Sequence, residues 1–435
     1  MIARAWQQPL RVWLLGVFLI STMVHTIVGL AVGGMESSDY ERSYLTVAQA
    51  LISGEGLDTL PDIVAIRYPI GFPLYIAAHI PVAARLGVTT EAAIGFTQAL
   101  LAGATTALLF LLADRTVGRL PALLAALMWG LYPRVLWFTR HPNSEVLFTF
   151  LLYFALFYLV RAIQRRHFWS MLPVALLVGI CALVRPIGIG LSIVFALILA
   201  LQRHLTRKER LLFIGALLLL NVTVWAPWES YLWQRTGELQ PLAVNDNTSV
   251  YDGITWAIYL ETPPASLPTD VYELMQRAAA RKQELTRGTL ATVAFLWEEM
   301  QQRPLTVLKL FLIKLARGLY ANQGMEGETL NLLMQLPIVL LSVWGLVGAW
   351  RDPGTHPYAI MGLLLVLYFW GMTTLVLSIS RYMIPVTGLL FIFVGYRVAR
   401  LLERWPAVRA FTDQQPPSSS GYELGERRAS PVTSD

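Results

Sequence analysis

The stretch PIGFPLYIAAHIPVAARLG (Pro69–Gly87) decides how this chain is threaded. It is apolar enough to pass for a membrane crossing. Yet it holds Pro69, Pro73 and Pro81, with His79 among them, and three prolines do not suit a straight spanning helix. Counting it in or leaving it out inverts everything downstream. Around it the membrane case is strong: 55% of the 435 residues are hydrophobic and only 14% charged, against about 25% charged in soluble domains. Mean hydropathy is +0.53. Apolar runs approaching the ~20 residues that cross a bilayer recur at 12–32, 92–113, 117–138, 145–162, 168–184, 186–202, 210–228, 330–350, 357–377 and 381–399. The expected fold is an all-α polytopic membrane protein, a bundle of about ten transmembrane helices.

Charge chooses the threading. With Pro69–Gly87 left out, the short loops on the amino-terminal side carry Arg115, Arg119, Arg161, Arg165, Arg166, Arg203, Arg207, Lys208, Arg210 and Arg351. With Arg4 and Arg11 these make twelve cations, against three (Arg140, Arg185, Arg381) in the short loops opposite. Counting the stretch in reverses this asymmetry while the amino terminus stays basic, which the positive-inside rule disfavours. Pro69–Gly87 is therefore expected in or on the outer membrane surface as a broken amphipathic segment. Both termini become cytoplasmic, with long outer loops at 34–91 and 229–329. Residues 1–402 form the membrane domain, and 403–435 a disordered cytoplasmic tail.

The net charge of +6 is spread over these loops, which writes topology and excludes a nucleic-acid partner; the expected surroundings are membrane lipids. The single cysteine, Cys181, lies within an apolar run, so no disulfide framework is expected. The first run follows Arg4 and Arg11, exceeds a signal-peptide core and reads as a retained anchor. In RPLTVLKLFLIKLARGLYANQ, Lys309, Lys314 and Arg317 share an arc of about 140° on a helix. That stripe is expected to meet lipid headgroups.

Polar residues are scarce inside the runs and gather at their outer ends. SSDYERSYLTVAQALISGEGL (Ser37–Leu57) repeats apolar residues at helical spacing through Tyr40, Tyr44, Ala48, Leu51 and Ile52, and Gly54 stops it. Asp39 and Glu41 stand at its front. On the same side fall Arg67, His141, Glu145, Arg185, Trp228, Glu229, Asn245, Asp246 and Arg381. A carboxylate at headgroup depth can deprotonate an acceptor hydroxyl, and nearby arginines can hold a departing phosphate. The competing class is a lipid or sugar-lipid transporter, which needs ionisable residues near the midplane and helices broken there.

The pattern D-x-x-x-x-Y-x-x-x-A from Asp39, followed by SGEG and RYPIGFPLY, resembles the first outer loop of the membrane-embedded GT-C glycosyltransferases. The similarity is to the family 39-like group, which includes protein O-mannosyltransferases and the lipid A aminoarabinose transferase. HPNSEVLFTFLLYFALFYL, GICALVRPIGIGL, APWESYLWQRTGELQPLAVNDNTSVYDG and SRYMIPVTGLLFIF resemble further stretches of it, in the same order. The resemblance implies an inverting transfer of one sugar from a polyprenyl-phosphate-linked donor to an acceptor hydroxyl at the outer face. It implies Asp39 as general base, Glu145 as second acidic residue, and Arg67, Arg381 and Arg185 as holders of the donor phosphate. Tyr44, His141, Trp228, Asn245 and Asp246 are candidate donor or acceptor contacts. Some relatives bind a divalent metal ion near the first outer loop, for which Glu55, His79 and His141 are the candidate ligands. Relatives carry an arginine-asparagine pair after the Pro-Trp; here Glu229 and then Gln234-Arg235 follow, which marks a different acceptor side.

Plainer roles stand beside these. Ser38 and Glu41 fit a capping box that would put Asp39 in a helix's first turn. Asn143 or Ser144 can cap the run that begins near Glu145. Arg185 can snorkel at the turn before Pro186. Arg67 can pair with Asp58 or Asp62, and Arg381 can anchor at the interface.

Overall fold

A computed structural model describes residues 8–33, 40–239, 242–243, 246–258, 260, 264, 266–322 and 327–406, apart from the side chains of Asp246 and Asn247. Leaving aside single-turn helices, its first half comprises α1 (Leu10–Val32), α2 (Thr46–Ser53), α3 (Gly71–Leu86), α4 (Thr90–Thr116), α5 (Arg119–Gly130), α6 (Pro133–Phe138), α7 (Ser144–Arg165), α8 (Met171–Val184), α9 (Leu191–Ala200) and α10 (Arg207–Thr236). Then follow α11 (Asp246–Thr255), α12 (Thr269–Ala280), α13 (Thr289–Gln302), α14 (Pro304–Tyr320), α15 (Glu328–Arg351), α16 (His356–Leu375) and α17 (Ile384–Leu402). All ten apolar runs are helical where expected. Among the described residues seven helices are long and apolar enough to cross a bilayer: α1, α4, α7, α10, α15, α16 and α17 with its preceding turn. Three shorter apolar ones (Arg119–Gly130, Phe168–Val184, Pro186–Ala200) complete the set. The chain is an integral, multi-pass, all-α membrane protein.

α7 and α17 run through the centre, while α1, α10 and α15 leave most of their apolar surface outside the protein, where lipid covers it. The main core, with Phe148, Leu152 and Tyr153 of α7, Trp129 of α5, Phe369 of α16 and Leu389 of α17, lies between them. The run expected at 117–138 is two helices, because Tyr132, ahead of Pro133, is extended (φ −68°, ψ 118°). α10 does not stop at Trp228. It continues through Pro227 to Thr236 and is closed by Gly237 in the left-handed region.

α3 corrects an expectation: it is one continuous helix, not a broken segment. Pro73 falls in the first turn, where backbone N–H groups have no intrahelical partner in any case, and Pro81 costs a single interior bond. The helix does not cross the bundle. Gly71 packs against the backbone of Leu183 at the end of α8, and just beyond its other end Glu91 accepts from the Tyr40 hydroxyl at 2.9 Å. The segment Ser37–Leu57, where described, is a π-helical turn (Tyr40–Leu45) running into α2, and Gly54 ends it in the left-handed region as expected.

α11 to α14 build a unit with its own core around Tyr251, Leu274, Met275, Phe295 and Leu310. Here the expected cationic stripe fails. Lys309 pairs with Asp270 at 2.9 Å. Arg317 is buried, pairs with Glu328 at 2.9 Å and stacks on Trp256 at 3.6 Å. Lys314 is wholly buried. Lys314 and Arg317 turn inward, towards Glu328 and the end of α16, while Lys309 stays half exposed on Asp270; these partners are remote in sequence.

Candidate active site at one end of the bundle

The beginning of α7 supplies the carboxylate. Asn143 caps that helix, its Oδ1 accepting from the N–H groups of Glu145 (3.1 Å) and Val146 (3.4 Å). The loop before it is locked by Gln98, which donates to the His141 carbonyl (2.8 Å) and accepts from the Asn143 N–H (3.1 Å). With Asn143 capping, the Ser144 hydroxyl accepts from Arg185 Nη1 at 3.1 Å. Arg185 sits where α8 stops and the chain doubles back: a Cβ on Gly188 would lie 2.5 Å from the Ala182 nitrogen, so only glycine permits the turn. Arg381 comes from the turn Ser380–Met383 that leads into α17.

These three elements meet at Glu145. Its Oε1 accepts from Arg185 Nη1 at 2.7 Å and lies 3.5 Å from Arg381 Nε. Both guanidinium carbons stand 5.2 Å from the centre of the Tyr382 ring. The Glu145 side chain is 6% exposed, that of Arg185 14% and that of Arg381 33%. One carboxylate faces two guanidiniums, so the cluster holds a net positive charge, and Arg381 presents it to the outside. Burial would push the Arg185 guanidinium down, but Glu145 and Tyr382 outweigh it and hold the pKa above its usual value. Its role is an ion pair, not the snorkel at a turn. Glu145 Oε1 is committed to these donors, a poor state for a general base and a good one for fixing two arginines.

Aromatic rings extend the site. Tyr44 stacks on Tyr68 at 4.5 Å and meets Phe72 edge-on at 5.0 Å. Its buried hydroxyl sits among Arg185, Glu145 and Ser144, and burial pushes its pKa up. The Arg67 guanidinium lies 5.4 Å from the Tyr68 ring centre, which links Arg67 to the cluster through two stacked tyrosines. His141, beside Glu145 and Arg381, is held below its usual pKa, chiefly by burial. On the bundle side of Glu145 an apolar cavity is bordered by Trp129, Phe138, Val146, Thr149 and Ile384.

Five sequence-selected residues, Tyr44, His141, Glu145, Arg185 and Arg381, are thus brought together, with Arg67 at the edge. Trp228 is elsewhere: its indole N–H donates to the Leu242 carbonyl at 2.9 Å, while Glu229 accepts from the Leu242 N–H at 3.1 Å. Asp58 and Asp62 are taken by Arg235. Asp39, Asn245 and the Asp246 side chain lie outside the described residues. Among the described residues no three His, Cys, Asp or Glu side chains stand together as metal ligands. His79 bonds the Tyr75 carbonyl (2.7 Å) and Thr97 (2.8 Å), and Glu55 is exposed beyond α2. That set does not fit a metal centre. Sequence reasoning missed Tyr68 and Tyr382 and weighed Ser144 only as a helix cap; the signal for the tyrosines is that Arg67 and Arg381 are each followed by one.

Residues 72–228, which include Glu145 and Arg185, match the dolichyl-phosphate-mannose-protein mannosyltransferase family model. Among solved structures the chain is similar to the oligosaccharyltransferase AglB from Archaeoglobus fulgidus in complex with an inhibitory peptide and a dolichol-phosphate. The TM-score is 0.58 at 10% identity, over 92% of this chain and 52% of that one. The same enzyme in its apo form gives a TM-score of 0.57 at 10% identity, over 92% and 52% of the two chains. ArnT from Cupriavidus metallidurans bound to undecaprenyl phosphate matches at 13% identity over 90% and 79%, with a TM-score of 0.42. The chain spans about half the length of the oligosaccharyltransferase structures. Among curated proteins none matches. Family match and shared fold bear out the resemblance to GT-C, family 39-like membrane glycosyltransferases.

Proposed function

We propose that this protein is an integral-membrane glycosyltransferase that moves one sugar, with inversion, from a polyprenyl-phosphate-linked donor to an acceptor hydroxyl at the outer membrane face. The observation that carries the reading is the Glu145–Arg185–Arg381 cluster, with one positive charge in excess and Arg381 a third exposed. Such a cluster favours an anion at headgroup depth, and a lipid phosphate supplies one. Arg381 holds the phosphate, with Arg67 approaching from the far side of Tyr68. Asp39 accepts the proton of the acceptor hydroxyl as its oxygen attacks the anomeric carbon opposite the leaving group. The carbon–phosphate-oxygen bond then breaks and polyprenyl phosphate leaves with the electron pair, its charge stabilised by the arginines. Glu145 keeps Arg185 and Arg381 apart and aimed. The cation asymmetry supports cytoplasmic termini and a site on the extracytoplasmic side.

Mass spectrometry of lipids retained through gentle detergent purification tests the donor. A polyprenyl phosphate or its glycosylated form is expected. Its absence, together with no sugar transfer from any polyprenyl-phosphate sugar to added acceptors, would overturn the reading. A cysteine placed at Val117 tests the sidedness: it should be labelled only from the cytoplasm.

A further inference from the structure

The strap of residues 376–379 joins the end of α16 to the turn that carries Arg381, and its two ends are clamped by groups outside the cluster. At the first end, the Lys314 ammonium on α14 donates to the carbonyls of Leu375 (3.3 Å) and Val376 (3.2 Å), two of the carbonyls a helix C-terminus leaves unpaired. Lys314 is wholly buried, its Nζ 5.6 Å from the Phe311 ring centre. Among the described residues no carboxylate lies within 4 Å of it. Beside Lys314, α11 brings Gly253 against the same strap carbonyl: a Cβ there would lie 1.7 Å from the Val376 oxygen and 3.0 Å from Lys314 Nζ. At the second end, Ser380 is tied through its N–H (2.9 Å) and its hydroxyl (2.6 Å) to the Ala321 carbonyl at the close of α14. Arg134, buried in α6, donates to the same hydroxyl. One residue later comes Arg381.

We infer that Lys314 is a positioning residue: it anchors the strap to the α11–α14 unit and so fixes where Arg381 stands against Glu145. For the chemical consequence at Arg381, this rests on the functional reading above. A helix end can be satisfied by water or by a cation from its own last turn. Here an amine whose pKa burial pulls down to about 7 is drawn wholly out of water, with no carboxylate opposite it among the described residues, an arrangement stability alone disfavours. A methionine would fill the same space, so what the ammonium adds is a fixed strap. The α11–α14 unit also becomes part of the site's geometry, because both α11 and α14 hold the segment on which Arg381 depends.

The test uses the full chain in lipid nanodiscs with Cys181→Ala and a nitroxide on Leu377→Cys. Lys314→Met is expected to mobilise the label and to weaken undecaprenyl phosphate binding about tenfold, the scale of a lost charged hydrogen bond. Gly253→Ala keeps the lysine but drives a methyl against the Val376 carbonyl that the lysine holds, and should mobilise the label likewise, which covers the case in which one variant fails to fold. A label spectrum unchanged in the variant that folds overturns the clamp. A mobilised strap with unchanged affinity overturns its link to Arg381. If the parent protein binds no undecaprenyl phosphate, the glycosyltransferase reading fails instead, and the label spectrum still decides the clamp.

Discussion

Two arginine clusters lie near the same end of the bundle and differ in burial and, above all, in the balance of charge. Around Arg235, two carboxylates and two carbonyls serve one guanidinium. Its Nε bonds Asp62, its Nη1 the Leu57 carbonyl (2.8 Å) and Asp58 (3.5 Å), and its Nη2 the Leu60 carbonyl. Around Glu145, one carboxylate serves two guanidiniums. The first knot is saturated and ties the loop 57–62 to α10. The second keeps an unspent positive charge with a side chain that reaches the surface. Number and proximity of ion pairs do not separate a strut from a site; the sign of the remainder does.

The sharpest way to break that comparison is to remove the proposed base. Asp39→Asn is expected to insert and fold normally yet lose about a hundred- to ten-thousand-fold in transfer rate. Turnover like that of the parent would remove Asp39 from the mechanism. Next comes Glu145→Gln, which leaves the largely buried Arg185 guanidinium and the part-exposed Arg381 guanidinium without their carboxylate. It should cost about 3–5 kcal/mol of stability, read as a large drop in thermal midpoint, together with lost activity. Arg381→Gln ought to separate the two effects: little change in midpoint, but lipid-phosphate affinity lower by about tenfold or more. Arg235→Gln should do the opposite. Its carboxylate partners are largely exposed (86% and 60%), so about 1–2 kcal/mol is expected with phosphate binding unchanged. If Arg235→Gln weakened phosphate binding as much as Arg381→Gln, the distinction between strut and site would collapse.

Most of the fold was legible in the sequence because lipid-facing helices must be long, apolar and continuous, and each of the ten runs announced itself. The site residues were legible as members: Glu145, Arg185 and Arg381 each interrupt or border an apolar run. Their mutual contact was not, since it joins segments 40 and 196 residues apart through packing that no local pattern encodes. The same limit explains the misread stripe of α14. Helical periodicity shows that Lys309, Lys314 and Arg317 share a face, but not that Asp270, Glu328 and the end of α16 wait on it. α3 failed differently: prolines were weighed by number, whereas position decides, and Pro73 in a first turn costs almost nothing.

The smallest expected effect lies between the two clusters' extremes, at His141, which stands beside a surplus of positive charge. Burial holds its pKa below the ordinary 6.5; Glu145 opposes this in part, and Arg140 and Arg381 add smaller downward pushes. The unfolded chain therefore takes up a proton at this position before the folded protein does. As pH falls through about 6.5 and below, the unfolded state binds more protons, and this residue's contribution to stability declines until the folded-state pKa is reached. Raising the pH through the same window restores it. His141→Phe should flatten that part of a stability-against-pH curve and leave the region above pH 7 almost untouched, measured as thermal midpoints in nanodiscs from pH 4.5 to 8. A slope that survives the substitution would place the titration on another group. A slope of opposite sign would mean that Glu145 holds His141 charged, which would make the cluster more cationic than its two arginines alone.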